Sequence, residues 1–210
     1  METPSDQQLT DDGLVATGRG RILVLACGAL AREILALIEA NGWSHVDLHC
    51  LPAILHNYPA KITGAVQEAV ARRRTAYEKV FVAYADCGTG GDLAQACADM
   101  GVEMIQGPHC YAFFDGLARF AARDEIFAFY LTDFLTRQFD TFVWRGLGID
   151  RHPELLPMYF GHYRKLVYLA QTDDPDLTAK AQAAADRLGL AFERRYTGYG
   201  DLATALEAAI

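Results

Sequence analysis

The stretch from Lys79 to Met100, KVFVAYADCGTGGDLAQACADM, constrains the fold more than any other part of this chain. Lys79 to Ala85 is apolar, with Val80, Phe81 and Val82 at its centre, which is the pattern of a strand covered on both faces. Asp86, Cys87 and the glycines at 88, 90 and 91 break that run, and helical spacing follows to Met100. A buried strand that enters a helix through a tight turn is a unit of a parallel sheet. It puts Cys87 at the carboxyl end of a central strand, where ligands bind in open α/β sheets.

The same rhythm recurs. Arg21–Ala26 reads as a buried strand followed by Cys27-Gly28, and Leu30, Ile34, Leu37 and Ile38 then give a helix face, ended by Asn41-Gly42. Val46–Leu51 is a second strand, Lys61–Tyr77 a helix, and Val102–Gln106 a strand that runs into Gly107-Pro108-His109-Cys110. Tyr111–Arg123 is helical, while Glu125–Thr132 fits either a fifth strand or an apolar helix start. Asp133 to about Gly146 is helical, and the aromatic segment up to Arg164 suggests an inserted cap. Lys165–Gln171 is a strand, Asp176–Leu188 a helix, Ala191–Thr197 a strand and Leu202–Ala209 a final helix. The expected fold is a three-layer α/β domain over 21–210, with a mostly parallel sheet, helices on both faces and a helical cap over 133–164. Residues 1–20 carry no periodic pattern and read as a flexible lead-in.

A net charge of −8 excludes a large phosphate-neutralising surface, so no nucleic-acid partner is expected. The one basic cluster, Arg72-Arg73-Arg74, reads as a solvated helix end. No apolar run reaches the roughly 20 residues of a membrane span, and the polar start lacks the apolar core of a signal peptide. Those features suggest a cytoplasmic protein. Its five cysteines, at 27, 50, 87, 97 and 110, are widely spaced, form no CxxC and do not make a disulfide framework.

Three of those cysteines follow strands. Cys27 comes after the first, Cys87 after the third and Cys110, beside His109, after the fourth. Parallel strands bring their carboxyl ends to one edge, so Cys27, Cys87 and Cys110 are the expected ligands of one metal ion, with His109 or Glu33 near the fourth position. Thiolate and imidazole donors suit zinc, or an iron–sulfur centre. Each turn feeds a helix N-terminus, whose partial charge favours thiolate, and Glu33 is the candidate catalytic base. Cys97 inside a helix and Cys50 inside a strand read as core thiols; His49 and His56 are less well placed.

Two other readings need no metal. Cys27 and Cys87 could face each other across a small-molecule substrate as acid and base, as in cofactor-independent racemases, with the amides of Thr89, Gly90 and Gly91 holding a substrate carboxylate. CGTGGD could instead cradle a phosphate, although it matches neither GxGxxG nor the phosphate-loop pattern. The aromatic residues between 111 and 163 exceed what one small helical layer buries, which points to a homodimer surface or a ligand cap.

The segments LACGALAREI, LPAILHNYP, VAYADCGTGGDL, GPHCYAFFDG and FYLTDFL together resemble an uncharacterised domain-of-unknown-function family of small bacterial and archaeal proteins. Members of that family are often encoded beside corrinoid-dependent methyltransferases. The resemblance implies a setting in methyl or one-carbon metabolism, with a corrinoid cofactor, a corrinoid protein or a methyltransferase as partner, and the chain is then either a metal-dependent enzyme of that metabolism or a non-catalytic accessory partner of a corrinoid methyltransferase. It assigns no residue a role.

Overall fold

The computed structural model describes residues 4–210. In chain order the elements are α1 (Asp6–Asp11), β1 (Ile22–Cys27), α2 (Ala31–Ala40), β2 (Val46–Leu51), α3 (Ile62–Arg73), β3 (Lys79–Ala83), α4 (Asp92–Met100), β4 (Glu103–Met104), α5 (Ala112–Asp115) and α6 (Leu117–Arg123). β5 (Ala128–Leu131), α7 (Asp133–Arg137), α8 (Leu155–Phe160), β6 (Lys165–Ala170), α9 (Pro175–Leu188), β7 (Ala191–Tyr196) and α10 (Gly200–Ala209) follow. The class is α/β, with parallel strands joined by helical crossovers. No described helix is long and apolar enough to cross a membrane.

The chain divides into two compact units, where the strand rhythm suggests one domain over 21–210. The first runs to Ala112 and takes in Asp201–Ile210; the second is Phe113–Gly200. Each has its own sheet, because β5 pairs with β6 and β4 ends after two residues.

In the first unit the strand order is β2-β1-β3-β4. Leu23, Val24, Leu25 and Ala26 of β1 are fully buried, as expected for a strand with neighbours on both sides. Ile34 on α2, Val66 and Val70 on α3 and Leu93 on α4 are likewise without exposure. The chain passes from β1 to β2 on one side and returns to β3 on the other. The crossovers therefore diverge at the carboxyl ends of β1 and β3, which is the crevice where open sheets of this kind bind ligands.

The segment read as a flexible lead-in is partly structured. Ser5 caps α1 by accepting from the Gln8 amide, Leu9 is fully buried, and Leu14 bridges to Cys50. A Cβ at Gly28 would stand 2.3 Å from the Leu9 carbonyl oxygen, so only glycine lets α1 lie against the turn after β1. Residues 1–3 lie outside the described part of the chain. A six-residue helix with little amphipathic length leaves a weak sequence pattern, which is why the segment reads as loose.

In the second unit β5-β6-β7 form a parallel sheet, and β6 is buried from Leu166 to Ala170. Ala128–Leu131 is thus a strand, which settles the strand-or-helix ambiguity of that run. The expected cap segment holds α7, a π-helical turn over Asp140–Trp144, and α8. Phe134, Phe139 and Phe142 from this segment are core, while Met158 and Tyr159 are exposed. Buried Asp133 accepts hydrogen bonds from the Tyr168 hydroxyl (2.7 Å), the Gln171 amide (3.0 Å) and both the amide (3.0 Å) and hydroxyl (2.6 Å) of Thr172. Those four donors tie the end of β6 to the start of α7.

Candidate active site

The strands that carry Cys27 and Cys87 are neighbours, with Ala26 in register with Ala83. Cys27 ends β1 and leads into a short 3-10 turn, Gly28–Leu30, whose Ala29 amide donates to the Cys27 sulfur. Cys87 lies four residues beyond β3, in a turn where it takes a left-handed conformation (φ 48°) rare for a residue with a side chain. The Asp86 and Cys87 amides donate to the carbonyls of Gly107 (2.9 Å) and Pro108 (3.0 Å), so the turn after β3 is laced to the loop after β4. That lacing brings the Cys87 and Cys110 sulfurs to 3.3 Å. Partly exposed Cys110 and buried Cys87 thus form the closest pair in the cluster described here.

The three thiols differ in protonation. The hydrogen bond from Cys110 outweighs burial at Cys87 and, with further hydrogen bonds from the His56 imidazole and the Cys110 amide, brings its pKa down to about 5. Cys110 moves the opposite way, because it donates to that thiolate and is itself desolvated. Burial pushes Cys27 up to about 11 despite the Ala29 amide. Three thiolates favoured by helix N-termini were the expectation; the structure favours one. Desolvation outweighs the dipole at Cys27, and α4 begins only at Asp92, five residues past Cys87.

The glycine turn is occupied by its own carboxylate. Asp86 accepts from the amides of Gly88 (3.2 Å), Gly90 (3.2 Å) and Gly91 (2.7 Å) and from the Thr89 hydroxyl (2.8 Å). The Thr89 amide donates to the Asp86 carbonyl. The amides that could have held a substrate carboxylate or a phosphate therefore already have an acceptor. Hydrogen bonds from Gly91 and Thr89, the two largest effects, hold the Asp86 pKa below its usual value.

The other candidates fall around this pair. His56 sits on the 3-10 turn after β2 (Ala53–Asn57) and hydrogen-bonds to Cys87. Spacing alone gave it no weight, because a turn between β2 and α3 becomes a neighbour of Cys87 only once β1 and β3 are adjacent. His109 stacks on Tyr111 with ring centroids 4.9 Å apart, and burial lowers its pKa, while the charges of Cys87, His56 and Asp86 all reach it. Tyr84, fully buried, was not singled out from the sequence. Its hydroxyl has no hydrogen bond of ordinary geometry, and after burial its largest perturbations come from Cys27 and Cys110. Glu33 is buried on α2, and its charge helps raise the Cys50 thiol after burial and Cys27. Burial and Arg73 take the His49 pKa down to about 4. Cys97 is a buried thiol on α4, as its helical position suggests.

Among the described residues, no three His, Cys, Asp or Glu side chains already stand together as a metal-holding group. The comparisons with curated proteins and with solved structures give no match. A family model described as a protein of unknown function (DUF1638) matches residues 50–206, a span that includes His56, Tyr84, Cys87 and Cys110 and leaves out Cys27. The thiol pair and its imidazole neighbour thus lie within the matched span, and the chain belongs to the DUF1638 family.

Proposed function

We propose that this chain binds one soft divalent metal ion, zinc foremost, through Cys87 and Cys110, with Cys27 and an imidazole from His56 or His109 completing the set. The 3.3 Å separation of the Cys87 and Cys110 sulfurs carries this reading. Two thiolates on a tetrahedral zinc, each at about 2.3 Å, stand roughly 3.8 Å apart, so the pair needs to open by only about 0.5 Å. A third donor must also turn in. His56 is an exposed side chain on a short turn, free of the rotamer restraints of a packed core. Sulfur and nitrogen donors favour zinc over magnesium or calcium. Cys27 and Cys110 would give up their protons on binding, so affinity rises with pH. The setting in methyl or one-carbon metabolism, with a corrinoid protein or methyltransferase as partner, rests on the family resemblance alone.

The test is anaerobic titration of reduced protein with cobalt(II), followed by zinc competition. One equivalent with the near-ultraviolet charge-transfer band of cobalt–thiolate bonds, lost in Cys87→Ser and Cys110→Ser and weakened in His56→Ala, is the expected result. Wild type that takes up no stoichiometric metal, or Cys87→Ser that binds as wild type does, overturns the reading.

A second reading has its own support, the opposite protonation of Cys87 (about 5) and Cys27 (about 11), which is what a thiolate base and thiol acid require. The occupied glycine amides weigh against a substrate carboxylate in that turn. Exchange of the α-proton of amino acids in deuterated water, abolished by Cys27→Ser and by Cys87→Ser, would favour this reading over the first.

A further inference from the structure

We propose that Cys87 and Cys110 form a hydroperoxide-sensitive pair, which closes to a disulfide and withdraws both sulfurs from any other use. The argument begins with position. The two residues lie in turns outside the β-ladders, each in a segment held to the other by main-chain hydrogen bonds from Asp86 to Gly107 and from Cys87 to Pro108. Their sulfurs are 3.3 Å apart, and a disulfide requires about 2.05 Å. The remaining travel of roughly 1.3 Å is within reach of side-chain rotation, with no strand displaced. Cys110 is partly exposed and opens the approach of a small oxidant to the pair, while Cys87 beside it is buried, as are Cys27, Cys50 and Cys97, which have no exposed thiol at 3.3 Å.

The chemistry closes without a cofactor. The Cys87 sulfur gives up its proton and attacks the distal oxygen of a hydroperoxide, the O–O bond breaks, and the leaving oxygen takes up a proton and departs as water or an alcohol. Cys87 is now a sulfenic acid. The Cys110 sulfur then attacks the Cys87 sulfur, the S–OH bond breaks, and hydroxide leaves as water with the proton from Cys110. The two thiols have been oxidised by two electrons and the peroxide reduced by two. A small dithiol reverses the closure by thiol–disulfide exchange. The inference needs no metal and goes beyond the metal reading; if both hold, oxidation removes two donors and releases the ion.

The experiment uses the full chain, reduced, then treated with chelator and freed of reductant under argon. Hydrogen peroxide is added at a small excess, and the products are followed by intact mass and by cleavage before aspartate, which separates Cys87 (86–91), Cys97 (92–98) and Cys110 (99–114). The expected product has lost two hydrogens, links 86–91 to 99–114, and returns to the starting mass with dithiothreitol. In Cys110→Ser, Cys87 should accumulate as a sulfenic acid trapped by dimedone; in Cys97→Ser the link should form as in wild type. Wild type that carries Cys87 on to sulfinic acid without the link, links another pair, or shows no change in mass overturns the proposal. Because the protein is metal-free throughout, a failure to bind cobalt or zinc leaves this result untouched.

Discussion

Asp86 offers the sharpest test of how the site is built. Its carboxylate accepts four hydrogen bonds, and the three amides among the donors belong to Gly88, Gly90 and Gly91, all at positive φ. Glycine loses the most backbone freedom on folding, so this turn is costly to order and needs a fixed acceptor. A hydrogen bond to a charged group contributes about 1.5–3 kcal/mol when sheltered. The turn faces solvent, and two of the four bonds are long at 3.2 Å, so the two short ones dominate. The expected cost of Asp86→Ala is about 2–3 kcal/mol, and of Thr89→Ala under about 1 kcal/mol. Urea unfolding of the metal-free protein measures both. Because the Asp86 pKa is lowered in the fold, its contribution is full above the unfolded value near 3.8 and fades as pH falls below it. The same variant frees the glycine amides for an outside anion. Formate or phosphate at tens of millimolar should therefore raise the stability of Asp86→Ala more than that of wild type. Asp86→Ala within about 0.5 kcal/mol of wild type, or no difference in anion response, would refute the reasoning.

Three further predictions concern separate parts of the chain. Alkylation of Cys87 in metal-free protein should follow a titration near pH 5 and shift to higher pH in Cys110→Ala, as read by peptide mass after timed iodoacetamide quenches; an unchanged profile would remove Cys110 as the cause. Asp133→Ala leaves the buried Gln171 amide and Tyr168 hydroxyl without an acceptor, while exposed Thr172 can turn to water, and should cost roughly 2–4 kcal/mol in urea unfolding, whereas Asp173→Ala, at an exposed ion pair with Arg194, should stay within about 0.5 kcal/mol. Glu125 is brought down to about 2 chiefly by the Arg195 hydrogen bond, so its contribution is full above about 4.5 and is lost as pH falls toward 2. The stability gap between wild type and Glu125→Gln should accordingly shrink from pH 6 to pH 3, and a gap that widens would reverse the assignment.

Local order in this chain is largely written in the sequence. Apolar runs, helical spacing and glycine positions mark β1, β3 and the helices after them, because each pattern is a periodicity of neighbouring residues matched to one buried face. Placing Cys27, Cys87 and Cys110 at strand ends needs nothing more, since parallel connection is what a strand–turn–helix rhythm allows. What those thiols then do was decided by contacts between distant segments. The order β2-β1-β3-β4 makes Cys27 and Cys87 neighbours at the divergence of the crossovers, and the lacing of 86–87 to 107–108 pairs Cys87 with Cys110. His56 and Tyr84 join the site only through that arrangement. Asp86 shows the limit of motif reading most directly: CGTGGD looks like an open anion cradle, yet the residue just before Cys87 folds back and fills it. Protonation follows the same logic, because desolvation and a donor at 3.3 Å are properties of three-dimensional surroundings that no spacing encodes. The division into two sheets is likewise tertiary, for the strand patterns on either side of residue 113 are alike and only pairing reveals that β5 joins β6.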